Sequence, residues 1–357
     1  MPSLFDLSFE QLAALLSEWG QPLYRAKQVW GWAYTRLAPS FAAMTDLPKA
    51  LRELLEGQLQ FSALAPALNL RSRDNSTHKI LFRLRDGYQI ETVLMRYRNR
   101  RTLCISTQAG CVMGCVFCAT GQMGFDRHLS AGEIVEQVLW FARQLKNEND
   151  ALTNIVIMGM GEPFHNYDAA LAAVDRLTDP EAFNFGARRL TLSTVGLIPM
   201  IERFANEKRQ VNLAVSLHAA TNDLRNELIP INRKYPLDIL MPACRDYVAK
   251  TGRRISFEWA LIHGKNDMPE QARALARLLT RPTKLLSHVN LIPLNPTRDF
   301  AGAASTRERV ADFKAILDAH GIPCTVRVRR GIDINAGCGQ LRAAAQESVS
   351  APPTQSN

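Results

Sequence analysis

Three cysteines, Cys111, Cys115 and Cys118, crowd into the stretch "AGCVMGCVFCATG" with the spacing C-x3-C-x2-C. Three thiolates on one short loop can hold three corners of a cubane [4Fe–4S] cluster and leave the fourth iron without a protein ligand. An open coordination position is what separates a reactive metal site from a structural one. The competing reading is a zinc knuckle. Structural zinc takes four protein ligands, and the neighbours Cys104 and His128 lie outside the usual pair spacing. A fourth candidate for chemistry is Cys338, set between glycines in "DINAGCGQL" after the basic run "TVRVRR". Positive charge and access lower a thiol pKa, so this cysteine reads as a reactive thiolate.

The chain that must position these groups has 357 residues, 46% hydrophobic and 22% charged, with a formal charge of +9. That composition is globular, and the basic balance favours a polyanionic partner. Seven cysteines, an odd number, argue against a secreted disulfide framework and for a reducing compartment. The start "MPSLFDLSFEQLAALLSEWG" lacks the pattern of a secretory signal, and no apolar run is long enough to span a bilayer. A cytoplasmic protein without membrane contact is expected.

Three helical stretches come first. Ser8 and Gln11 make a capping box ahead of one, and "YRAKQVWGWAYTRL" and "LPKALRELLEGQL" carry the others. The alternating runs "HKILFRLRD" and "YQIETVLMRY" add a short β extension. From "TLCIST" onwards strand and helix alternate, through "NIVIMGM", "RLTLST", "VNLAVSL", "ISFEWALI" and "HVNLIPL". Six such units give an α/β class, as an open parallel sheet or a partial barrel, with chemistry at the C-terminal strand ends. The cysteine loop, "GMGEP", "STVG" and "SLHA" all fall at such ends. The expected organisation is an N-terminal accessory domain over residues 1–90, a catalytic domain over 91–342, and a disordered tail over 343–357.

With these motifs in place the sequence resembles the radical-SAM superfamily, and within it the RlmN/Cfr family of RNA methyltransferases. The resemblance rests on "TLCISTQAGCVMGCVFCATG", "MGMGEP", "LSTVG", "SLHA", "LIPLNP" and "DINAGCGQL", and extends to "GQPLYRAKQVW". One departure is Gly337, where that family commonly carries alanine. The resemblance implies a partial (β/α)6 barrel in which Cys111, Cys115 and Cys118 hold a [4Fe–4S] cluster and S-adenosylmethionine (SAM) chelates the free iron. It implies SAM contacts from Gly161 and Glu162 at the amino end, from Ser193 and Ser216–Leu217–His218 at ribose and carboxylate, and from Asn295 at adenine or ribose.

The same resemblance implies two uses of SAM. Cys338 takes one methyl group, and a 5′-deoxyadenosyl radical made from a second SAM removes a hydrogen from that methyl. The carbon radical adds to carbon 2 of adenine, and a Cys104–Cys338 disulfide releases the RNA. Glu91 matches the family's proton acceptor, a task Cys104 could share. Implied partners are 23S rRNA, tRNA, an electron-donor protein and a thiol reductant, with the enzyme a monomer. Methylation at carbon 8 and a zinc-stapled RNA-binding protein remain the alternatives. Basic clusters at Arg96, Arg98, Arg100 and Arg101, at Arg188 and Arg189, and at Arg327, Arg329 and Arg330 are placed to meet phosphate.

Overall fold

The computed structural model describes residues 1–342, so the expected tail over 343–357 lies outside the described residues. Twelve strands are present. They are β1 (Ala65–Arg71), β2 (Thr77–Arg83), β3 (Gln89–Tyr97), β4 (Arg100–Cys104), β5 (Gln108–Gly110), β6 (Phe125–His128), β7 (Asn154–Ile157), β8 (Leu190–Thr194), β9 (Asn212–Ser216), β10 (Ile255–Leu261), β11 (Ser287–Pro293) and β12 (Cys324–Val326). Ten of them form one sheet in the order β1-β2-β3-β4-β7-β8-β9-β10-β11-β12. The first four are antiparallel neighbours, and from β4 to β12 every pairing is parallel.

The parallel portion is a partial barrel. Its six expected strands are β4 and β7–β11, and β12, which overlaps only the first two residues of "TVRVRR", adds a seventh. Helices Ala131–Asn147, Tyr167–Thr178, Ile198–Glu207, Leu237–Thr251, Pro269–Thr280 and Arg307–Ala319 connect them. Side chains of a strand alternate between its faces, so each strand serves two environments. On β10, Phe257, Trp259 and Leu261 are fully buried core, whereas Ser256, Glu258 and Ala260 face the barrel interior. Two features escaped the sequence pattern. Strand β1 is exposed along nearly its whole length, so no apolar alternation marks it. Strands β5 and β6 make a short hairpin that brackets the cysteine loop.

The division expected at residue 90 falls inside β3, which pairs with both β2 and β4. The structural break comes earlier, between helix Lys49–Gln58 and β1. The helices before it begin as expected. Ser8 Oγ accepts from the Gln11 N–H at 3.2 Å and Gln11 Oε1 accepts from the Ser8 N–H at 2.8 Å, capping Phe9–Glu18. The second expected helix does not run straight through, because Leu23–Trp30 widens into a π-turn over Gly31–Thr35. That turn buries Tyr34 against Trp30 and Phe5.

A buried carboxylate fastens this helical unit to the barrel. Glu136, on helix Ala131–Asn147, accepts from Ser3 Oγ (3.2 Å), Ser62 Oγ (2.5 Å) and the Ala63 N–H (2.9 Å to Oε2). Burial pushes its pKa up to about 7 against the pull of those donors. Replacing Glu136 by Ala strands two buried donors, the Ser3 hydroxyl and the Ala63 N–H, each costing about 1–3 kcal/mol when unpaired. E136A is expected to lower the urea midpoint and to speed proteolysis between residues 58 and 65, as read by mass analysis of the fragments.

Candidate active site

The inward side chains of β3, β4 and β7–β12 enclose a cavity of about 1100 Å³. Its upper rim carries the cysteine loop. Cys111, Cys115 and Cys118 all line it, with Met113 and Phe117 packed around them in a small apolar cluster that includes Leu228, Ile229 and Leu294. Met123 packs against the main core instead. Burial raises the Cys111 thiol to about 12 and Cys115 well above the ordinary thiol range, and each is raised further by the neighbouring cysteine sulfurs. Three clustered thiols, Cys115 buried and Cys111 and Cys118 half-buried, suit a cationic metal group, which holds thiolates deprotonated outright. That donor set fits an iron–sulfur cluster.

Beside the loop, Gly161 has φ +99°, and a Cβ there would sit 2.6 Å from the Gln108 side chain, so only glycine lets the chain pass. Glu162 follows. Its Oε1 accepts from the Phe164 N–H (3.0 Å) and its Oε2 from the Val195 N–H (2.9 Å). Burial nevertheless lifts its pKa to about 7. Ser193 and Ser216 end β8 and β9 with their hydroxyls 3.4 Å apart. His218 adopts φ +56°. Its Nδ1 accepts from the Ala260 N–H at 2.8 Å, which puts the proton of the neutral ring on Nε2. Burial depresses its pKa to about 3, so it stays neutral.

Leu217 presents no side chain to the cavity. Its side chain is core, its N–H donates to the Glu258 carbonyl (3.1 Å), and its own carbonyl accepts from Arg225 Nε (3.1 Å). Asn295 does face the cavity. It donates from Nδ2 to the Cys338 carbonyl at 3.1 Å, and its buried Oδ1 has no partner, leaving an acceptor for a ligand donor.

Cys104 and Cys338 line the same cavity as the three loop thiols. The Cys338 thiol is raised, not lowered as the basic run suggests. The Cys338 side chain is exposed, on the open side of the cavity, and partial desolvation there, followed by the anionic side chain of Glu258, outweighs the opposing pull of Arg327. Cys104 is raised by burial and then by Cys338, which places the two sulfurs within each other's field. Gly337 fits tightly. A Cβ there would lie 2.6 Å from Asn295 Nδ2 and 2.7 Å from Gln340 Oε1, so alanine requires both side chains to give way. Glu91 shares a face of β3 with the lining residues Val93, Met95 and Tyr97 but is buried outside the lining, paired with Lys79 at 2.7 Å.

Comparison with known proteins decides the family. A model described as "Radical SAM superfamily" matches residues 105–279, and one described as "Ribosomal RNA large subunit methyltransferase N-terminal domain" matches residues 3–60. A probable dual-specificity RNA methyltransferase RlmN from Chloroflexus aurantiacus is 53% identical over 346 residues, covering 95% of this chain and 92% of the relative. The chain belongs to the RlmN family of radical-SAM RNA methyltransferases. A dual-specificity RNA methyltransferase RlmN 1 from Myxococcus xanthus is 51% identical and covers 96% and 94% of the two chains. The crystal structure of a radical SAM methyltransferase from Sphaerobacter thermophilus superposes with a TM-score of 0.94 at 52% identity, covering 96% of this chain and all of that one.

Several groups in this RlmN-type site were invisible to motif reading. Glu258 and Asn290 are register partners on β10 and β11, joined by a 2.7 Å hydrogen bond facing the cavity. Their signal was there: a single acid or amide inside an apolar strand. Arg225, fully buried, donates to the carbonyls of Leu217, Val195 and Ser216 and to Asn232 Oδ1, tying three site segments together. Of the basic clusters, Arg100, Arg188, Arg327, Arg329 and Arg330 line the cavity, and Arg100 and Arg330 both stack on the Tyr97 ring, at 4.3 and 4.6 Å. Arg96 and Arg101 are instead paired with Glu148 and Asp150.

The raised Cys338 thiol yields a direct test. Alkylation of Cys338 by iodoacetamide, followed by mass spectrometry, is expected to accelerate with a midpoint above the ordinary thiol pKa of about 8.5. Removing the anion that opposes the thiolate, in E258Q, shifts the midpoint down. Removing the favourable cation, in R327M, shifts it up.

Proposed function

We propose that this enzyme methylates carbon 2 of adenine, in the peptidyl-transferase region of 23S rRNA and immediately 3′ of the anticodon in tRNA. The observation that carries the reading is the meeting of Cys104 and Cys338 with the three loop cysteines in one cavity. Two kinds of sulfur chemistry therefore have access to one substrate position. Family membership supports the substrate class, as the Chloroflexus aurantiacus relative is a probable dual-specificity RNA methyltransferase.

Cys111, Cys115 and Cys118 would hold a [4Fe–4S] cluster, which would supply the one-electron reduction of SAM that starts radical chemistry. The chain's residues do the rest. Cys338 loses its proton and takes the methyl group of a first SAM as an S-methyl thioether. After hydrogen abstraction this carbon bonds to the adenine, and loss of the ring proton and of one electron, returned to the electron-donor protein, gives the closed-shell adduct that links enzyme and RNA. The ring proton goes to Cys104, which lines the cavity, or to Glu91, on the same sheet face. Attack of the Cys104 sulfur on the Cys338 sulfur forms a disulfide and breaks the sulfur–carbon bond. The RNA carbon leaves with the electron pair and takes up a proton. A thiol reductant then supplies two electrons to restore both thiols.

Gly161, Glu162, Ser193, Ser216, His218 and Asn295 hold SAM. Glu162 and the unpartnered Asn295 Oδ1 offer acceptors for its ammonium and adenine amino groups. The target base must leave its stack to enter so deep a cavity, as in other enzymes acting on bases. Arg100 and Arg330 on Tyr97 present stacked cationic planes to RNA. The reading places the enzyme in the cytoplasm, as a monomer served by an electron-donor protein; no described helix is long and apolar enough to cross a membrane.

The test uses an oligonucleotide deuterated at carbon 2 of the target adenine. Loss of that label with a gain of one methyl group is expected, and retention with a methyl at carbon 8 overturns the regiochemistry. C338A is expected to retain iron and sulfide while RNA methylation falls below detection. Retained methylation removes Cys338 from the reaction.

A further inference from the structure

The buried ion pair Lys79–Glu91 belongs to neither the cluster site nor the SAM site, yet both side chains reach the segment that carries Cys338. Lys79 lies on β2 and Glu91 on β3, diagonal neighbours on one sheet face, since Lys79 is in register with Val93 and Leu81 with Glu91. Such diagonals are within reach of long side chains. Register continues from Val93 to Cys104 on β4. Lys79, Val93 and Cys104 therefore form one row on the face turned towards the reactive cysteines.

Each member of the pair spends one further hydrogen bond on the Cys338 segment, at opposite ends of it. Lys79 Nζ donates to the Asn335 carbonyl at 3.1 Å, and the Arg342 N–H donates to Glu91 Oε2 at 3.0 Å. Between these points the segment is held from the other side. The Ala119 N–H donates to the Gly339 carbonyl (2.7 Å), Thr120 Oγ1 to the Leu341 carbonyl (2.6 Å), and Gln340 Nε2 to the Pro296 carbonyl (2.9 Å). The side chains of Lys79 and Glu91 are 8% and 5% exposed, so this charge has been taken out of water. A buried pair is poor value as a general stabiliser, because desolvation offsets most of the attraction. It makes sense where the two groups have a geometric task.

We propose that Lys79 and Glu91 are positioning residues, a two-point clamp that fixes residues 335–342 so that the Cys338 sulfur faces Cys104 and the cavity. Lys79 has no contact with the cavity, and its effect on the reaction runs wholly through the loop. The antiparallel extension β2–β3 thereby gains a function, since it carries the clamp across the sheet to the reactive thiol. This inference rests on the reading of Cys338 as the methyl carrier, but its main observable, the closure of the loop, does not.

The experiment compares K79M, K79R and the charge swap K79E/E91K with the unaltered chain. Hydrogen exchange is followed in a peptide spanning 335–342, with helix 131–147 as the internal reference for global stability. K79M is expected to raise exchange in 335–342 by about tenfold or more while the reference helix keeps its protection, because local opening governs exchange there. Iodoacetamide labelling of Cys338 rises in parallel. K79R keeps a donor to the Asn335 carbonyl and is expected to restore most of the protection. The swap keeps an ion pair between the strands, but points a carboxylate at the Asn335 carbonyl and an ammonium at the Arg342 N–H. The clamp requires the swap to leave the loop as open as in K79M, and a swap that restores protection overturns it in favour of a simple strand-to-strand pair. An unchanged loop in K79M also overturns it, as does loss of protection in the reference helix with no excess in the loop. Methylation of Cys338 by SAM, read as intact mass, separates the two layers. An open loop with the methyl group still found only on Cys338, at a reduced rate, supports both. An open loop in a protein never methylated at Cys338 leaves the clamp standing and rejects the methyl-carrier reading.

Discussion

Desolvation of sulfur and carboxylate in one enclosed space is the constraint on which the site depends. Cys104, Cys111 and Cys115, with Glu162 and Glu258, all line the cavity, and burial raises the pKa of each, while Cys338 lines it from the exposed side. An anion in such a place is costly unless a cation accompanies it. The protein supplies little compensation of its own. Arg327 opposes the effect at Cys338 and Glu258, and Arg225 at Cys115. The site is thus electrostatically incomplete, suited to an iron–sulfur cluster and a sulfonium cofactor that both bring positive charge. Ligand binding and thiol ionisation are one coupled event here.

The parallel strands make that incompleteness affordable. Their outward residues bury large apolar side chains under six helices, leaving the inward residues free to be polar. On β10 the two duties alternate residue by residue, with Phe257, Trp259 and Leu261 outward and Ser256, Glu258 and Ala260 inward. Stability and chemistry are carried by opposite faces of the same strand, so polar substitutions inward do not spoil the core outward. The strand ends then bring Ser193, Ser216 and His218 to one rim beside the cysteine loop. Arg225 binds the carbonyls of that rim from behind.

The C-terminal segment closes the arrangement. It is the last stretch of chain described, yet hydrogen bonds from the cluster loop, from Asn295 and from β2 and β3 fasten it over the cavity. A reactive thiol on a segment with few internal hydrogen bonds needs such outside support, because placement within a fraction of an ångström governs reactivity. The basic residues follow the same economy. Those paired with Glu148 and Asp150 serve the fold, and those on Tyr97 and around the cavity remain free for phosphate or base.

Much was legible in the residues themselves. The C-x3-C-x2-C spacing is local, so it announced a three-thiol site without any fold. Capping at Ser8 and Ser130 likewise depends on residues three positions apart and appears as read, with Ser130 Oγ accepting from the Glu133 N–H at 3.1 Å. Apolar runs located the six central strands. What the pattern could not carry was set by partners distant in sequence. Strand β1 is a strand only because β2 pairs with it, and Leu217 sits in a motif yet turns into the core. The Cys338 thiol is raised by desolvation in the cavity and then by Glu258, eighty residues earlier in the chain. The task of Glu91 depends on Lys79 and on the Arg342 N–H, which meet only when the sheet and the C-terminal segment close on each other. Residue types and short spacings determined which chemistry this chain can perform. Burial and charge neighbours, which exist only in the folded state, decided how each group is tuned and which of them touch the reaction.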